Sequence, residues 1–141
     1  MSGILFNNQE INYRLNNKTN LRDWLLIVAT AEGYQIKELC YIFCNDDYLL
    51  KLNVRHLQHD TLTDVITFDN SITANWIYGD IFISTGRIAA NAKTYKVSVT
   101  DELHRVMVHG LLHLCGYKDK TRSSKIKMTA REDYYLSKRE F

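Results

Sequence analysis

His109-Gly110-Leu111-Leu112-His113-Leu114-Cys115-Gly116-Tyr117-Lys118-Asp119 sets two imidazoles one helical turn apart, then a glycine, then a carboxylate. On an α-helix, residues i and i+4 share a face with Cβ atoms about 5–6 Å apart, so His109 and His113 can aim ring nitrogens at one ion. Gly116 carries no Cβ penalty at positive φ and can end the helix, letting the chain fold back so that Asp119 offers a third ligand. Three protein ligands leave one tetrahedral position open, the arrangement of a catalytic rather than a structural zinc ion. The pair alone is often incidental, but Leu111, Leu112 and Leu114 around it predict a buried helix, where unpartnered imidazoles are costly. Cys115, two residues past His113, points about 200° away around the helix and is not expected to ligate. His104 is half a turn off the face of His109 and reads as a surface histidine or one standing behind the ligands.

Around this stretch, alternating apolar patterns predict an α+β fold: a single compact domain in which a small mixed sheet packs with helices and the metal site sits on a central buried helix. Ile4 to Asn8 reads as a strand, with a second short one from Glu10 to Tyr13. Asn20 caps a helix from Leu21 to Glu32 that Gly33 closes. Leu39 to Cys44 is a strand, and Asn45 with Asp46 and Asp47 opens a helix running to Leu57. Val65 to Phe68 and Trp76 to Ser84 are strands separated by a polar loop, followed by a helix from Thr85 to Tyr95. Thr100 is expected to cap the metal helix, with Asp101 and Glu102 in its first turn. A charged helix begins near Ser123, its lysines and arginines forming a solvated face.

Length and composition set bounds on function. A chain of 141 residues is one domain's worth and buries roughly two-thirds of its unfolded surface. No repeat, low-complexity run or apolar stretch of the roughly 20 residues needed to span a membrane is present, nor a basic leader with an apolar core, so a cytoplasmic protein without a membrane partner is expected. Cys40, Cys44 and Cys115 are an odd set without C-x-x-C spacing, which suits reduced thiols better than disulfides. The formal charge is +2, but residues 118–141 carry eight Lys or Arg against four Asp or Glu. That segment is therefore net +4 and the remainder −2, a basic flank beside the metal motif that could hold a polyanionic backbone.

The motif resembles the signature of the YbeY family of bacterial rRNA maturation factors, which reads roughly H-G-x-L-H-L-x-G-Y-D-H. Leu52-Asn53 through Thr63-Asp64-Val65-Ile66-Thr67-Phe68 is similar to the family's L-N-x-x-Y-R-x-x-D-x-P-T-[DN]-V-L-S-F, and Gly79-Asp80-Ile81 to its G-D-I strand. The three blocks occur in the family's order and span nearly the whole chain. The resemblance implies one metal-dependent endoribonuclease domain over residues 1–141, with one Zn²⁺ ion and RNA of the small ribosomal subunit as partner, ribosome-associated proteins being further candidate partners. It also implies a single-strand endoribonuclease of 16S rRNA 3′-end maturation and ribosome biogenesis. Two positions depart from the pattern. Lys118-Asp119 stands where the family has Asp-His, so the third ligand is a carboxylate, and a charged ligand should leave a zinc-bound water less acidic. Aligned without gaps, Leu57 falls where the family carries an arginine thought to assist at the phosphate, with Arg55, His56 and His59 as nearby substitutes.

Zinc polarises phosphoryl oxygens and lowers the pKa of a bound water, which places phosphodiester hydrolysis within reach. A zincin peptidase would carry its general base directly after the first histidine, and here that residue is Gly110. The metal ligands are thus His109, His113 and Asp119, while the general base stays open among Asp64, His59 and Asp80. Two other readings stand beside the nuclease: a non-catalytic assembly factor with a structural zinc, favoured by Leu57, and a zinc hydrolase of another substrate.

Overall fold

The computed structural model describes residues 3–57 and 63–141, and for residues 56 and 57 the backbone only. The elements are β1 (Ile4–Asn8), α1 (Lys18–Ala31), β2 (Gln35–Cys44), α2 (Asp46–Leu52), β3 (Val65–Asp69), β4 (Trp76–Ser84), α3 (Thr85–Tyr95), α4 (Val99–Leu114) and α5 (Arg122–Ser137), with a π-helical turn over Asn53–Leu57. The sheet order is β1-β2-β4-β3. β1 and β2 are parallel, as are β2 and β4, while β3 runs antiparallel to β4. The expected α+β architecture with a small mixed sheet is therefore the one observed.

Alternation along the two central strands decides which face receives α4. Leu39, Tyr41 and Phe43 of β2 pair with Gly79, Ile81 and Ile83 of β4, and all six are buried. α4 lies on this face, with Met107, Val108, Leu111 and Leu112 fully enclosed, and the Tyr41 hydroxyl donates to the Met107 carbonyl at 2.9 Å. Its approach is close. A Cβ on Gly110 would stand 2.8 Å from Cδ1 of Ile81, and one on Gly79 2.6 Å from the Phe68 carbonyl oxygen. The Gly79-Asp80-Ile81 block is thereby explained: Gly79 admits the neighbouring strand, Ile81 fills the space under Gly110, and Asp80 faces the opposite side. That opposite side is partly covered by α2, whose Leu49 and Leu52 pack with Cys44 and Ile66.

Several boundaries differ from expectation for physical reasons. α1 begins at Lys18, after Asn17 in the left-handed region, because its first turn is polar and exposed and the apolar period starts only at Leu21. No strand forms over Glu10 to Tyr13, where Glu10 turns the chain at φ 60°. β2 starts four residues early, its polar beginning paired with β4 through an irregular register between Ile36 and Glu38. α2 ends at Leu52 and gives way to the π-helical turn. The cap of α4 is Ser98, which accepts from the Asp101 amide, rather than Thr100; both are capping types, and the extended backbone falls at Ser98. All three cysteines are free thiols. Among the described residues no helix is long and apolar enough to cross a membrane.

Candidate metal centre

α4 carries His109 and His113 on one edge of its buried surface. It ends at Leu114, and just past its cap Gly116, at a φ of 98°, permits the Tyr117 amide to reach back to the Leu112 carbonyl at 3.0 Å. The chain then turns past Asp119 to Thr121, whose hydroxyl caps α5. This short reversal delivers Oδ2 of Asp119 to 3.3 Å from Nε2 of His109 and 3.2 Å from Nε2 of His113. The two rings meet edge to face with centroids 4.6 Å apart. The i,i+4 histidines, the glycine stop and the returning carboxylate predict this trio from the sequence, and the fold brings the three side chains together, with one donor atom from each residue within 4.8 Å of the others.

The Nδ1 atoms report how the trio is prepared. Nδ1 of His109 lies 2.6 Å from Oε2 of Glu132 on α5, and Nδ1 of His113 lies 3.0 Å from the Tyr117 carbonyl oxygen. A carboxylate and a carbonyl only accept, so each ring donates from Nδ1, and Nε2 is the nitrogen that would turn its lone pair to an ion on losing its proton. Two imidazole nitrogens and a carboxylate oxygen converge, both rings held from behind at Nδ1, and with the rings neutral they form a donor set suited to a divalent ion such as zinc. Burial disfavours charge on His109, yet the hydrogen bond and charge of Glu132, with Asp119 and Asp64 adding to them, hold its pKa above the ordinary imidazole value.

A cleft of about 350 Å³ opens beside the trio between β3, α3, α4 and α5. Asp64, Glu102, Arg105, His109, Asp119 and Lys125 are among the residues lining it. Of the sequence candidates for the general base, Asp64 is here. Burial raises its pKa despite an Asn91 amide donating to it at 3.2 Å. Glu102 is buried rather than simply placed at a helix start, and desolvation together with the charge of Asp64 raises its pKa too. Asp80 lies on the other face of the sheet, where Asn70 donates to it at 3.3 Å. His59 is outside the described residues, as are the side chains of His56 and Leu57. His104 is neither on the surface nor behind the ligands. It is buried against Trp24 and Phe141, accepts from Arg139 at 2.7 Å, and is held neutral with a pKa lowered to about 4 by burial and by that guanidinium.

Three supporting residues had no signal in the one-dimensional pattern. In the sequence Glu132 is one acid on a charged helix. Arg105 joins it at 2.8 Å and Asp133 at 2.5 Å. Glu32, at the end of α1, accepts from Tyr117 at 2.8 Å and Arg131 at 3.0 Å, and also from Tyr135. Arg131 and Arg139 are thus engaged with other groups instead of belonging to a freely solvated face.

Comparison with known proteins gives the family of the chain. The family model described as "Endoribonuclease YbeY" matches residues 4–140. The chain belongs to the YbeY family. The Cytophaga hutchinsonii protein named Endoribonuclease YbeY is 51% identical over 138 residues, covering 98% of this chain and 96% of that one. The protein of the same name from Flavobacterium johnsoniae is 48% identical over 126 residues, covering 89% and 90%. A Thermotoga maritima protein solved in solution shares the fold, with a TM-score of 0.67 at 24% identity over 95% of this chain and 87% of its own.

Proposed function

We propose that this protein is a zinc-dependent single-strand endoribonuclease acting in the cytoplasm on rRNA of the small ribosomal subunit, in 16S 3′-end maturation and ribosome biogenesis. The observation that carries the metal part is the meeting of both Nε2 atoms on one Asp119 oxygen; the RNA part is supported by the names of the relatives. His109, His113 and Asp119 would hold one zinc ion. When bound, zinc supplies Lewis acidity toward a phosphoryl oxygen and makes water a nucleophile near neutral pH.

This chain's own residues do the rest. Asp64 holds its proton more readily than an ordinary carboxylate because it is desolvated. At the cleft wall it can exchange a proton with the reacting oxygens, and general acid–base catalysis of this kind contributes about 10²–10⁴-fold. Lys125 lies with Met128, Thr129 and Glu132 on the face of α5 turned to the cleft. It makes no ion pair among the described residues, which leaves its ammonium to meet an RNA phosphate. Gly110 has no room for the glutamate of a zincin peptidase, since Ile81 already fills that space.

Cleavage of a labelled rRNA fragment by zinc-loaded wild type, His113→Ala and Asp64→Asn tests the reading. Cutting by wild type, none by the first variant and slowed cutting with zinc retained by the second is expected. Equal cutting by wild type and His113→Ala would overturn it. A second reading, the non-catalytic assembly factor with a structural zinc, draws on Leu57 in the family's arginine position. It predicts stoichiometric zinc and RNA binding with no cutting by any of the three.

A further inference from the structure

We infer that Glu132 is a positioning residue for the metal: from a different helix, it fixes the ring of His109 and gives that ligand an anionic partner that His113 lacks. This rests on the metal reading above. The two ligands are supported unequally. His113 donates to a neutral backbone carbonyl four residues along its own chain reversal, so its support forms whenever the chain turns correctly at Gly116. His109 donates to a carboxylate 23 residues away, across the α4–α5 interface.

Glu132 is itself restrained. Its side chain is 7% exposed, and its second oxygen accepts from Arg105 at 2.8 Å while the other guanidinium nitrogen holds Asp133. With one oxygen on Arg105 of α4 and one on His109 of the same helix, the carboxylate spans one turn of α4, because Arg105 and His109 are i and i+4. It cannot rotate without breaking both contacts. A charged acceptor increases the basicity of the ligating nitrogen more than a carbonyl does, and such partners behind a metal ligand are typically worth 10–100-fold in affinity. Asp119 and Glu132 thus contribute two negative charges to the site, one at the ion and one behind a neutral ring.

The test is zinc affinity by competition with a chromophoric chelator, measured on wild type and Glu132→Gln, beside the melting temperature of each metal-free protein. Glutamine can still accept from the ring but carries no charge. The expected result is binding weakened roughly 10-fold or more, toward the range such partners command, with the metal-free melting temperature close to that of wild type. Zinc affinity within about twofold of wild type would overturn the assignment, as would a loss that only follows loss of fold. A second measurement needs no variant. In zinc-loaded wild type, NMR should show the proton of His109 on Nδ1, at lower field than that of His113; a His109 proton on Nε2 would contradict the assignment. If wild type itself binds no zinc, both this inference and the metal reading fall, whereas tight wild-type binding with an indifferent Glu132→Gln removes this one alone.

Discussion

At the scale of single residues, the site is defined by which nitrogen each histidine leaves free. His109 and His113 were legible because i,i+4 spacing on a helix is a geometric statement, and Asp119 because Gly116 has the positive φ that returns the chain. Asp119 also gives a prediction of its own. Replacing it with histidine keeps a ligand in place but raises the charge at the site by one, so zinc is retained and the acidic limb of the pH–rate profile moves to lower pH. A profile that stays put, measured over the range where the fold is intact, would show that the ligand's charge does not govern activity. Glu132 was not legible. Its partner lies on another helix, and no period or motif on α5 distinguishes it from the surface acid Asp133 beside it.

Among the elements, strands and helices with strong alternation or clear caps lie where the pattern puts them. β4 and α3 match at both ends, since Ser84 is at once the last strand residue and a cap accepting from the Arg87 amide. The polar beginnings of α1 and β2 carry no apolar period, so the sequence pattern starts each element later than the structure does. Close packing was equally invisible until α4 lay over the sheet. Gly79→Ala should cost about 1–3 kcal/mol of stability or more, because the new methyl meets a strand carbonyl that cannot withdraw, and urea unfolding would read this directly. The join of α1, α5 and the turn after α4 depends on Glu32. Burial would raise its pKa, but hydrogen bonds from Tyr135, Tyr117 and Arg131 lower it overall. Its folded pKa is below the unfolded one, so its contribution is present above the ordinary carboxylate range and is lost as pH falls through the folded value. Glu32→Gln should therefore be less stable than wild type by about 1.5–3 kcal/mol at neutral pH, in line with hydrogen bonds to charged groups. The gap should close in acid; a constant gap across pH would refute the charged role of Glu32.

For the whole molecule, the mixed sheet serves as a platform that presents one edge of α4 to a cleft closed by α5. The chain turn between these helices carries Asp119, and the first turns of α5 carry Lys125 on the cleft side. If that ammonium meets an RNA phosphate, Lys125→Ala should weaken binding similarly across sequences and reduce the slope of log affinity against log salt by about one. An unchanged slope would place Lys125 outside the RNA path. The overall α+β order was legible because each strand and helix had its own pattern. The pairing of Glu132 with His109 and of Glu32 with Tyr117 was not, since it depends on how helices dock. The most direct test of the account is the zinc content of purified protein, by elemental analysis after exhaustive buffer exchange, for wild type and His113→Ala, with circular dichroism confirming that both are folded. One ion per wild-type chain and none in the variant is the predicted result; equal zinc in the two, or none in either after loading, would contradict it.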